Sequence, residues 1–303
     1  MQRKQILFHL IRIFAGTVFI LSALFKFLSI DLFELYIFGQ HIFNFNGSAI
    51  AARLIICTEF FIGIMLITGL YFKIIYRFTF LLLILFSVFL IVQIIKGKTD
   101  ENCHCFGELI KLTPLESLFK NVALVVLLFI IRKNENVSIA MEKYIALFIF
   151  LLSFTVPVIL SAPDFIFQFD REKPDFKKTS ALIKSNEQLI NAGVTNGKKL
   201  VCFFSVTCPY CEMASTKISI IATNHHLEDQ TIYVFAGDKE DLPAFLEKGG
   251  SANFNSFFLD IRTFFNIAGP IVPSVYLIND GTVIQQFNYR DIDENEIIRF
   301  LAK

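Results

Sequence analysis

Apolar and polar positions divide the chain into two halves of different character. The first half contains five apolar runs, each close to the roughly 18–20 residues with which a helix crosses a hydrocarbon core about 30 Å thick. The runs cover residues 13–30, 54–72, 78–95, 114–131 and 144–160. This pattern predicts five transmembrane helices.

The fourth run has the weakest composition, because Lys120 and Asn121 lie in its first half. It begins, however, with the sequence TPLE, from Thr113 to Glu116. A threonine N-cap, a proline at the first helical position and a glutamate three residues after the cap are typical of a helix start. We therefore expect this helix to form.

After about residue 162, charged residues become common and shorter patterns replace the apolar runs. We expect strands at residues 200–206 and 231–237, a helix from Cys208 to about Asn224, and a helical stretch at residues 238–250. Residues 272–287 predict two strands joined by the hairpin signal Asn-Asp-Gly, and a helix ends the chain. The expected organisation is a multi-domain chain: an α-helical membrane domain at 1–162, a tether at 163–179 and an α/β domain at 180–303.

Composition supports a domain in lipid and gives no reason to expect a nucleic-acid partner. The 303-residue chain is 54% hydrophobic, and its formal net charge is only +1, without a basic block or basic helix face. Its mean hydropathy is +0.59. The basic and then apolar N-terminus lacks a small-x-small cleavage pattern, so we interpret it as an uncleaved first helix.

Basic residues near the ends of the spans predict the orientation. Those expected to share one side are Arg3, Lys4, Arg12, Lys73, Arg77, Arg132, Lys133 and Lys143. The positive-inside rule assigns that side to the cytoplasm, with three lysines around residues 96–111 as the exception. With five crossings, the loops at residues 31–48 and 96–113 and the whole α/β domain face the extracytoplasmic side. This arrangement suits a bacterial inner membrane.

Four of the six cysteines form two close pairs, Cys103/Cys105 and Cys208/Cys211. A cysteine at the start of a helix faces backbone N–H groups and the positive end of the helix dipole, which favours its thiolate. Cys208 is therefore the expected nucleophile, and Cys211 the residue that resolves a mixed disulfide. The two unpaired cysteines, Cys57 and Cys202, are interpreted as packing residues.

Residues 180–303 resemble the thioredoxin superfamily. Three features carry the resemblance: the C-x-x-C motif between a strand and a helix, the proline just before a strand, and the closing hairpin and helix. The resemblance implies an α/β thioredoxin-like fold. It also implies a cis peptide bond between Val272 and Pro273, whose backbone pairs with an extended substrate. The chain departs from the thioredoxin pattern at Cys202, where thioredoxins carry a buried acid six residues before the first cysteine.

The membrane part, residues 8 to about 132, resembles the MauE/DoxX-like redox-associated membrane proteins. The resemblance rests on three stretches: GTVFILSALFKF in the first span, TEFFIGIMLITG in the second, and the element CHCFGE, which is followed by the Thr-Pro-capped span. It implies disulfide formation or thiol–disulfide exchange outside the cytoplasm, acting on client proteins. Cysteines at i and i+2 close only a small, strained ring, so a Cys103–Cys105 bond is expected to exchange readily.

Two charged residues in the apolar runs, Lys26 and Glu59, are costly in lipid unless they are paired or face a cavity. One interpretation is a structural ion pair. The other is a proton or quinone-head site beneath the cysteine loop.

The expected function is a membrane thiol–disulfide oxidoreductase that passes electrons between Cys208/Cys211 and Cys103/Cys105. The direction of electron flow stays open, and a membrane quinone is a candidate acceptor without a dedicated motif. The alternative is a copper- or zinc-handling protein. It would use His104 as a third ligand at the first pair and both His225 and His226 as the two further ligands at the second.

Overall fold

The computed structural model describes residues 2–132, 141–166, 175–249 and 254–302. The chain divides into two compact units, residues 1–163 and 164–303. The first unit is helical, and the second combines helices with one sheet. This confirms the expected fold class.

Among its described residues, the first unit contains six helices: α1 (Gln2–Leu28), α2 (Ile30–Phe38), α3 (Phe45–Thr68), α4 (Phe72–Ile95), α5 (Pro114–Ile131) and α6 (Glu142–Leu160). All except α2 are long and apolar enough to cross a membrane. The five expected spans therefore form, although α1, α3 and α4 begin earlier than the apolar runs predict. At α3 the reason is local, since the side chain of Asn44 accepts a hydrogen bond from the backbone of Gly47 and caps the helix.

Helices α1 and α3 pack against each other through two glycines. A Cβ atom on Gly16 would lie 2.6 Å from the carbonyl oxygen of Gly63, and one on Gly63 would lie 2.8 Å from that of Gly16. Small residues at such a crossing let two backbones approach closely, which is how transmembrane helices gain packing energy without a hydrophobic driving force. This contact fixes α1 beside α3, the two helices that carry Lys26 and Glu59.

The segment at residues 31–48, expected to be a loop, contains helix α2. Its buried apolar residues Phe33 and Ile37 share one face and pack in a cluster with Ile56 of α3. Glu34, the acidic residue in the middle of this helix, is 4% exposed, and the Arg53 guanidinium donates to its carboxylate at 2.5 Å. The helix forms because its polar position has a buried partner.

The second unit contains six further helices: α7 (Phe176–Ser185), α8 (Glu187–Asn191), α9 (Pro209–His225), α10 (Leu242–Gly249), α11 (Ile261–Ala268) and α12 (Glu294–Leu301). Its strands are β1 (Lys198–Ser205), β2 (Thr231–Ala236), β3 (Asn255–Phe258), β4 (Ser274–Asn279) and β5 (Thr282–Phe287). The strand order is β3-β2-β1-β4-β5. Strands β1, β2 and β3 are parallel, and β4 and β5 are antiparallel to their neighbours.

The central strands β1 and β2 are the most buried part of this unit. Val201, Phe203 and Val234 are 0% exposed and join one core cluster, which Phe264 of α11 also enters. A strand buried on both faces has a continuous apolar sequence rather than an alternating one, as in parallel sheets covered by helices. The two strands and the hairpin that the sequence predicts are all present.

Helix α7 begins at Phe176, inside the stretch expected to be a tether at 163–179. Its Ser180 hydroxyl accepts a hydrogen bond from the backbone of Val283 in β5 at 2.9 Å, so this helix belongs to the second unit. Residues 167–174 of the expected tether lie outside the described residues. Strand β3 and helix α11 were not predicted from the sequence.

Candidate redox site

Cys208 lies at the N-terminal end of α9, directly after the buried strand β1. It occupies the N-cap position, Pro209 is the first helical residue, and the Cys208 carbonyl accepts from the Cys211 backbone N–H at 3.0 Å. Cys208 is partly exposed, whereas Cys211 is 0% exposed. The accessible sulfur is therefore the first of the pair and the shielded one is the second, as expected for a nucleophile and a resolving residue.

A hydrogen bond between the Cys208 and Cys211 sulfur atoms makes the pKa values of the two thiols differ. The Cys211 thiol donates to the Cys208 sulfur and, with backbone N–H groups of Cys211 and Tyr210, lowers the pKa of Cys208 to about 6. The same hydrogen bond, together with burial, raises the pKa of Cys211. At neutral pH the reduced pair therefore holds one proton, on Cys211, and Cys208 is a thiolate.

The residue at the position of the thioredoxin acid is buried and uncharged. Cys202 is 0% exposed in β1, and burial raises the pKa of its thiol well above the ordinary value. It packs as an inert core residue and offers no carboxylate to accept the Cys211 proton.

The peptide bond between Val272 and Pro273 is cis, as the thioredoxin resemblance implies. Ser274, the next residue, pairs with Phe203 in the antiparallel register of β4 on β1. Because β1 runs from Lys198 toward Cys208, Pro273 lies at the end of the sheet from which the cysteine helix starts. The structure thus brings the backbone of Pro273 to the same sheet end as Cys208.

The second cysteine pair lies in the loop between α4 and α5, and this loop packs on α1. Gly107 has φ +59°, and a Cβ atom there would lie 2.4 Å from the Phe25 carbonyl oxygen of α1. The backbone N–H of Glu108 donates to the Ser29 hydroxyl at 3.1 Å. The Cys-Phe-Gly element therefore requires glycine for both its backbone conformation and its close approach to α1.

Cys103 and Cys105 resemble the α9 pair in burial and in hydrogen bonding. Cys103 is 3% exposed and its sulfur lies 2.8 Å from the Ser117 hydroxyl of α5, whereas Cys105 is partly exposed. The Cys103 thiol donates to the Cys105 sulfur, which lowers the pKa of Cys105, and the Lys120 and Lys26 ammonium groups lower it further. The same bond, with burial, raises the pKa of Cys103. The pair therefore loses its first proton from Cys105.

Lys26 and Glu59 meet directly beneath this loop. The Lys26 ammonium donates to both Glu59 carboxylate oxygens at 2.8 Å, and the two residues are 4% and 2% exposed. The ammonium also donates to the Ser22 hydroxyl at 2.7 Å, and that hydroxyl donates to the Cys105 carbonyl oxygen at 2.8 Å. A continuous hydrogen-bonded chain thus links the buried ion pair to the backbone of Cys105.

Three residues of α5 were not singled out as functional from the sequence. Ser117, Lys120 and Asn121 are spaced i, i+3 and i+4, which places them on one helix face. Ser117 contacts Cys103, and the Lys120 ammonium lies 4.5 Å from the centre of the Phe106 ring. The signal was present in the sequence, because polar residues in a transmembrane helix almost always face the bundle interior.

His225 and His104, two of the histidines considered as metal ligands, contact other residues. His225 ends α9, about 26 Å along the helix from Cys208 at 1.5 Å per residue, and its ring contacts Glu294 at 3.2 Å. His104 packs on the Tyr36 ring, with centroids 4.6 Å apart, and burial lowers its pKa. Within the described ranges, no three histidine, cysteine or acidic residues are grouped so that they could hold a metal ion.

In each cysteine pair, therefore, one residue is partly exposed and has the more acidic thiol, and the other is buried and keeps its proton. All six cysteines are free thiols in the structure. The thiolate is the form that attacks a disulfide, and a protonated neighbour one turn or one loop away can then displace the first bond. Both arrangements are chemically suited to thiol–disulfide exchange.

Comparison with known proteins found a family match, a similar protein and a similar solved structure. Residues 4–132 match the family described as Methylamine utilisation protein MauE. Protein TlpB of Flavobacterium psychrophilum is 24% identical over 333 residues, a match that covers 92% of this chain and 90% of TlpB. A secreted disulfide oxidoreductase of Mycobacterium tuberculosis, described as homologous to E. coli DsbE, is 14% identical; the match covers 37% of this chain and 84% of that chain, with a TM-score of 0.30.

The expected resemblance to MauE is thus confirmed, and the topology of the second unit, with its C-x-x-C helix and cis-proline, is that of a thioredoxin-like fold. The chain is a multi-pass membrane protein whose residues 4–132 match the MauE family, and its second unit has the topology of a thioredoxin-like fold.

Proposed function

We propose that this protein is a membrane thiol–disulfide oxidoreductase whose two cysteine pairs exchange disulfides with each other. Cys208/Cys211 reacts with client proteins, and Cys103/Cys105 reacts with Cys208/Cys211. The observation that carries the proposal is the recurrence of one arrangement in both units: a partly exposed cysteine with the more acidic thiol beside a buried cysteine that holds the proton.

The proposed relay runs through one mixed disulfide. The Cys208 thiolate attacks a Cys103–Cys105 disulfide, a Cys208–Cys105 bond forms, and Cys103 leaves as a thiolate that Ser117 can stabilise by donating a hydrogen bond. Cys211 then attacks Cys208, which releases Cys105 as a thiolate and leaves a Cys208–Cys211 disulfide. We assign the bond to Cys105 because Cys103 is 3% exposed.

Carrying both pairs on one polypeptide makes this encounter unimolecular. A short connection between two reacting groups gives an effective concentration in the millimolar range, well above that of a separate partner protein. The fused arrangement therefore supports exchange within the chain without a high-affinity docking surface.

The relay requires both pairs to lie in one compartment. The basic flanks and the five crossings support a cytoplasmic N-terminus in a bacterial inner membrane, with both cysteine pairs outside the cytoplasm. In that compartment, client proteins that contain thiols or disulfides would meet Cys208, and their extended segments would pair with the backbone at Pro273. Disulfides persist in such oxidising compartments and are rare in the cytoplasm.

Trapping of the mixed disulfide tests the relay. Cys211→Ser cannot resolve the intermediate, so mild oxidation of this variant should link Cys208 to Cys105, as read by mass spectrometry of the cross-linked peptides. The double variant Cys211→Ser/Cys103→Ser should keep the link, and Cys211→Ser/Cys105→Ser should lose it. If no variant links the two units under conditions that oxidise both pairs, the relay is wrong.

A further inference from the structure

A cavity of about 250 Å³ in the membrane unit borders the Cys103/Cys105 loop. We call it the membrane cavity. Its polar lining consists of both cysteines together with Lys26, Gln40, Glu59, His104, Lys120 and Asn121. The rest of the lining is apolar and aromatic and comes mainly from α2, α3 and α4. Neither the exchange between the two cysteine pairs nor the reaction with clients uses this space.

The size and walls of the membrane cavity fit one aromatic-sized ring. An apolar cavity of roughly 150 Å³ in another protein holds benzene, so a cavity of about 250 Å³ admits a substituted ring. Phe33, Phe86 and Phe89 supply flat apolar walls. Ligand sites generally combine such walls with a few polar groups that fix orientation, and the cysteine loop and α5 provide these.

The rim of the membrane cavity is apolar and exposed. Ile42, Phe43 and Leu85 line the cavity, yet they are 65%, 49% and 56% exposed. In a helical unit that spans a membrane, exposed aliphatic and aromatic side chains contact lipid. Leu85 lies within the membrane span α4, so a ligand that enters past it comes from the hydrocarbon phase, and an apolar tail attached to its ring can remain there.

The polar end of the membrane cavity carries one ammonium group available for a ligand. Lys26 is held by Glu59 and Ser22, but Lys120, in the part of the chain that the structure describes, contacts the Phe106 ring and no hydrogen-bond acceptor. A carbonyl oxygen on a bound ring would supply that acceptor. The charge of the same ammonium also lowers the pKa of the Cys105 thiol.

We propose that the membrane cavity binds the head group of a lipid-soluble para-quinone, which accepts the electrons of Cys103 and Cys105. This inference rests on the proposed function and gives it a direction, from client thiols to the membrane. An acceptor of this class is two-electron, ring-shaped and carried by the bilayer, and its carbonyl oxygens match Lys120.

The proposed step balances. The Cys103 thiol and Cys105 thiolate lose two electrons and one proton and form the Cys103–Cys105 bond. The quinone gains two electrons and two protons and becomes the quinol. One proton comes from Cys103 and the other from the Lys120 ammonium, which then takes a proton from water.

The test uses the full chain in lipid nanodiscs, reduced and mixed without oxygen with decylubiquinone or menadione as the benzoquinone and naphthoquinone probes. The variant Cys208→Ser/Cys211→Ser should form one quinol per chain with at least one probe, measured by ultraviolet absorbance. The variant Cys103→Ser/Cys105→Ser should form quinol at least tenfold more slowly. Equal rates in these two variants would overturn the proposal.

Occupancy of the membrane cavity is tested with a filled variant and a matched control. Ala51→Phe places a ring inside the cavity and should slow quinol formation at least tenfold, whereas Ala123→Phe, on an exposed position of α5, should not. Lys120→Met, which removes the ammonium group, should also slow quinol formation. Persistent protection of Cys57, which is 1% exposed, against alkylation checks that each variant is folded. Unchanged rates in folded Ala51→Phe and Lys120→Met would mean that lipid chains, not a quinone, occupy the cavity.

The quinone site and the relay between the two cysteine pairs can be contradicted independently of each other. The wild-type chain should form two quinols, because Cys208/Cys211 passes its electrons through Cys103/Cys105. One quinol from both the wild type and the Cys208→Ser/Cys211→Ser variant would support the quinone site and contradict the relay. A trapped Cys208–Cys105 link without any quinol would support the relay and contradict the quinone site.

Discussion

The acidity of Cys208 depends on its partner, and removing the partner thiol gives a sharp prediction. Relative to the ordinary value of 9.0, the pKa of Cys208 is lowered to about 6, chiefly by the hydrogen bond from Cys211. At pH 7 a thiol of pKa 6 is roughly nine-tenths thiolate, against about one-hundredth at pKa 9. Cys211→Ala removes the donor but keeps the backbone N–H groups at the helix start, so we expect the pKa of Cys208 to rise by about one unit or more.

A rise of one unit lowers the thiolate fraction of Cys208 at pH 6 from about one half to about one tenth. The rate of alkylation by iodoacetamide at pH 6 should therefore fall about fivefold, while the rate at pH 9 changes little. The assay follows the peptide that contains Cys208 by mass spectrometry across the pH range. Cys211→Ser is the matched control, because its hydroxyl can still donate and should preserve most of the low pKa. An alkylation profile with the same midpoint in the wild type and Cys211→Ala would refute the reasoning.

Three further predictions follow from the geometry. The reduction potential of the Cys208–Cys211 disulfide should fall by about 59 mV per pH unit below pH 6 and by about 30 mV per pH unit above it, because the reduced pair holds two protons below the pKa of Cys208 and one proton above it. Equilibration against dithiothreitol buffers at a series of pH values measures the potential, and a single slope across pH 6 would contradict the prediction. Lys26→Met leaves the Glu59 carboxylate buried without its partner and should destabilise the membrane unit by about 3–5 kcal/mol. The double variant Lys26→Met/Glu59→Leu removes both charges and should recover most of that loss. Equal melting temperatures of the two variants in detergent would argue against a buried ion pair. Gly107→Ala should displace the cysteine loop from α1 and raise the alkylation rate of Cys103 about tenfold. Gly97→Ala is the control, because Gly97 also has a positive φ, +81°, but has open space around it, and this variant should leave the rate unchanged. The same rate in both variants would show that the loop does not depend on the contact with α1.

The sequence predicts those parts of the fold that depend on residues close together in the chain. The start of α5 is an example: the Thr113 hydroxyl accepts from the Glu116 backbone and the Glu116 carboxylate accepts from the Thr113 backbone, as the TPLE motif indicates. The hairpin of β4 and β5 follows in the same way, because Asp280 and Gly281 both have positive φ and close a tight turn. Such elements carry their own hydrogen-bond partners within a few residues.

Elements that depend on distant residues could not be predicted in this way. Helix α2 looks like a charged loop until Arg53, 19 residues away, is seen to donate to Glu34. The packing of the Gly107 loop on Phe25 likewise needs the folded bundle. Both are tertiary contacts, and local sequence preferences are weak beside them.

The membrane site was only partly predictable, for the same reason. An ion pair between Lys26 and Glu59 was foreseen, because each charge is costly in lipid without a partner. The hydrogen-bonded path through Ser22 to the Cys105 carbonyl was not, since a single serine in an apolar helix has no distinctive spacing. Lys120 was read as a weakness of the fourth span, although it borders the same cavity as both cysteines.

The central claim is that both cysteine pairs react in one compartment outside the cytoplasm, and thiol labelling in whole cells tests it most directly. One variant keeps Cys105 and another keeps Cys208 as the sole accessible thiol, and the buried Cys57 and Cys202 stay in place. Arg77→Cys in the chain without accessible thiols marks the opposite side. The account predicts that a membrane-impermeant maleimide labels Cys105 and Cys208 in intact cells, and labels the Arg77→Cys site only after lysis. Labelling of only one of the two native cysteines before lysis would contradict it.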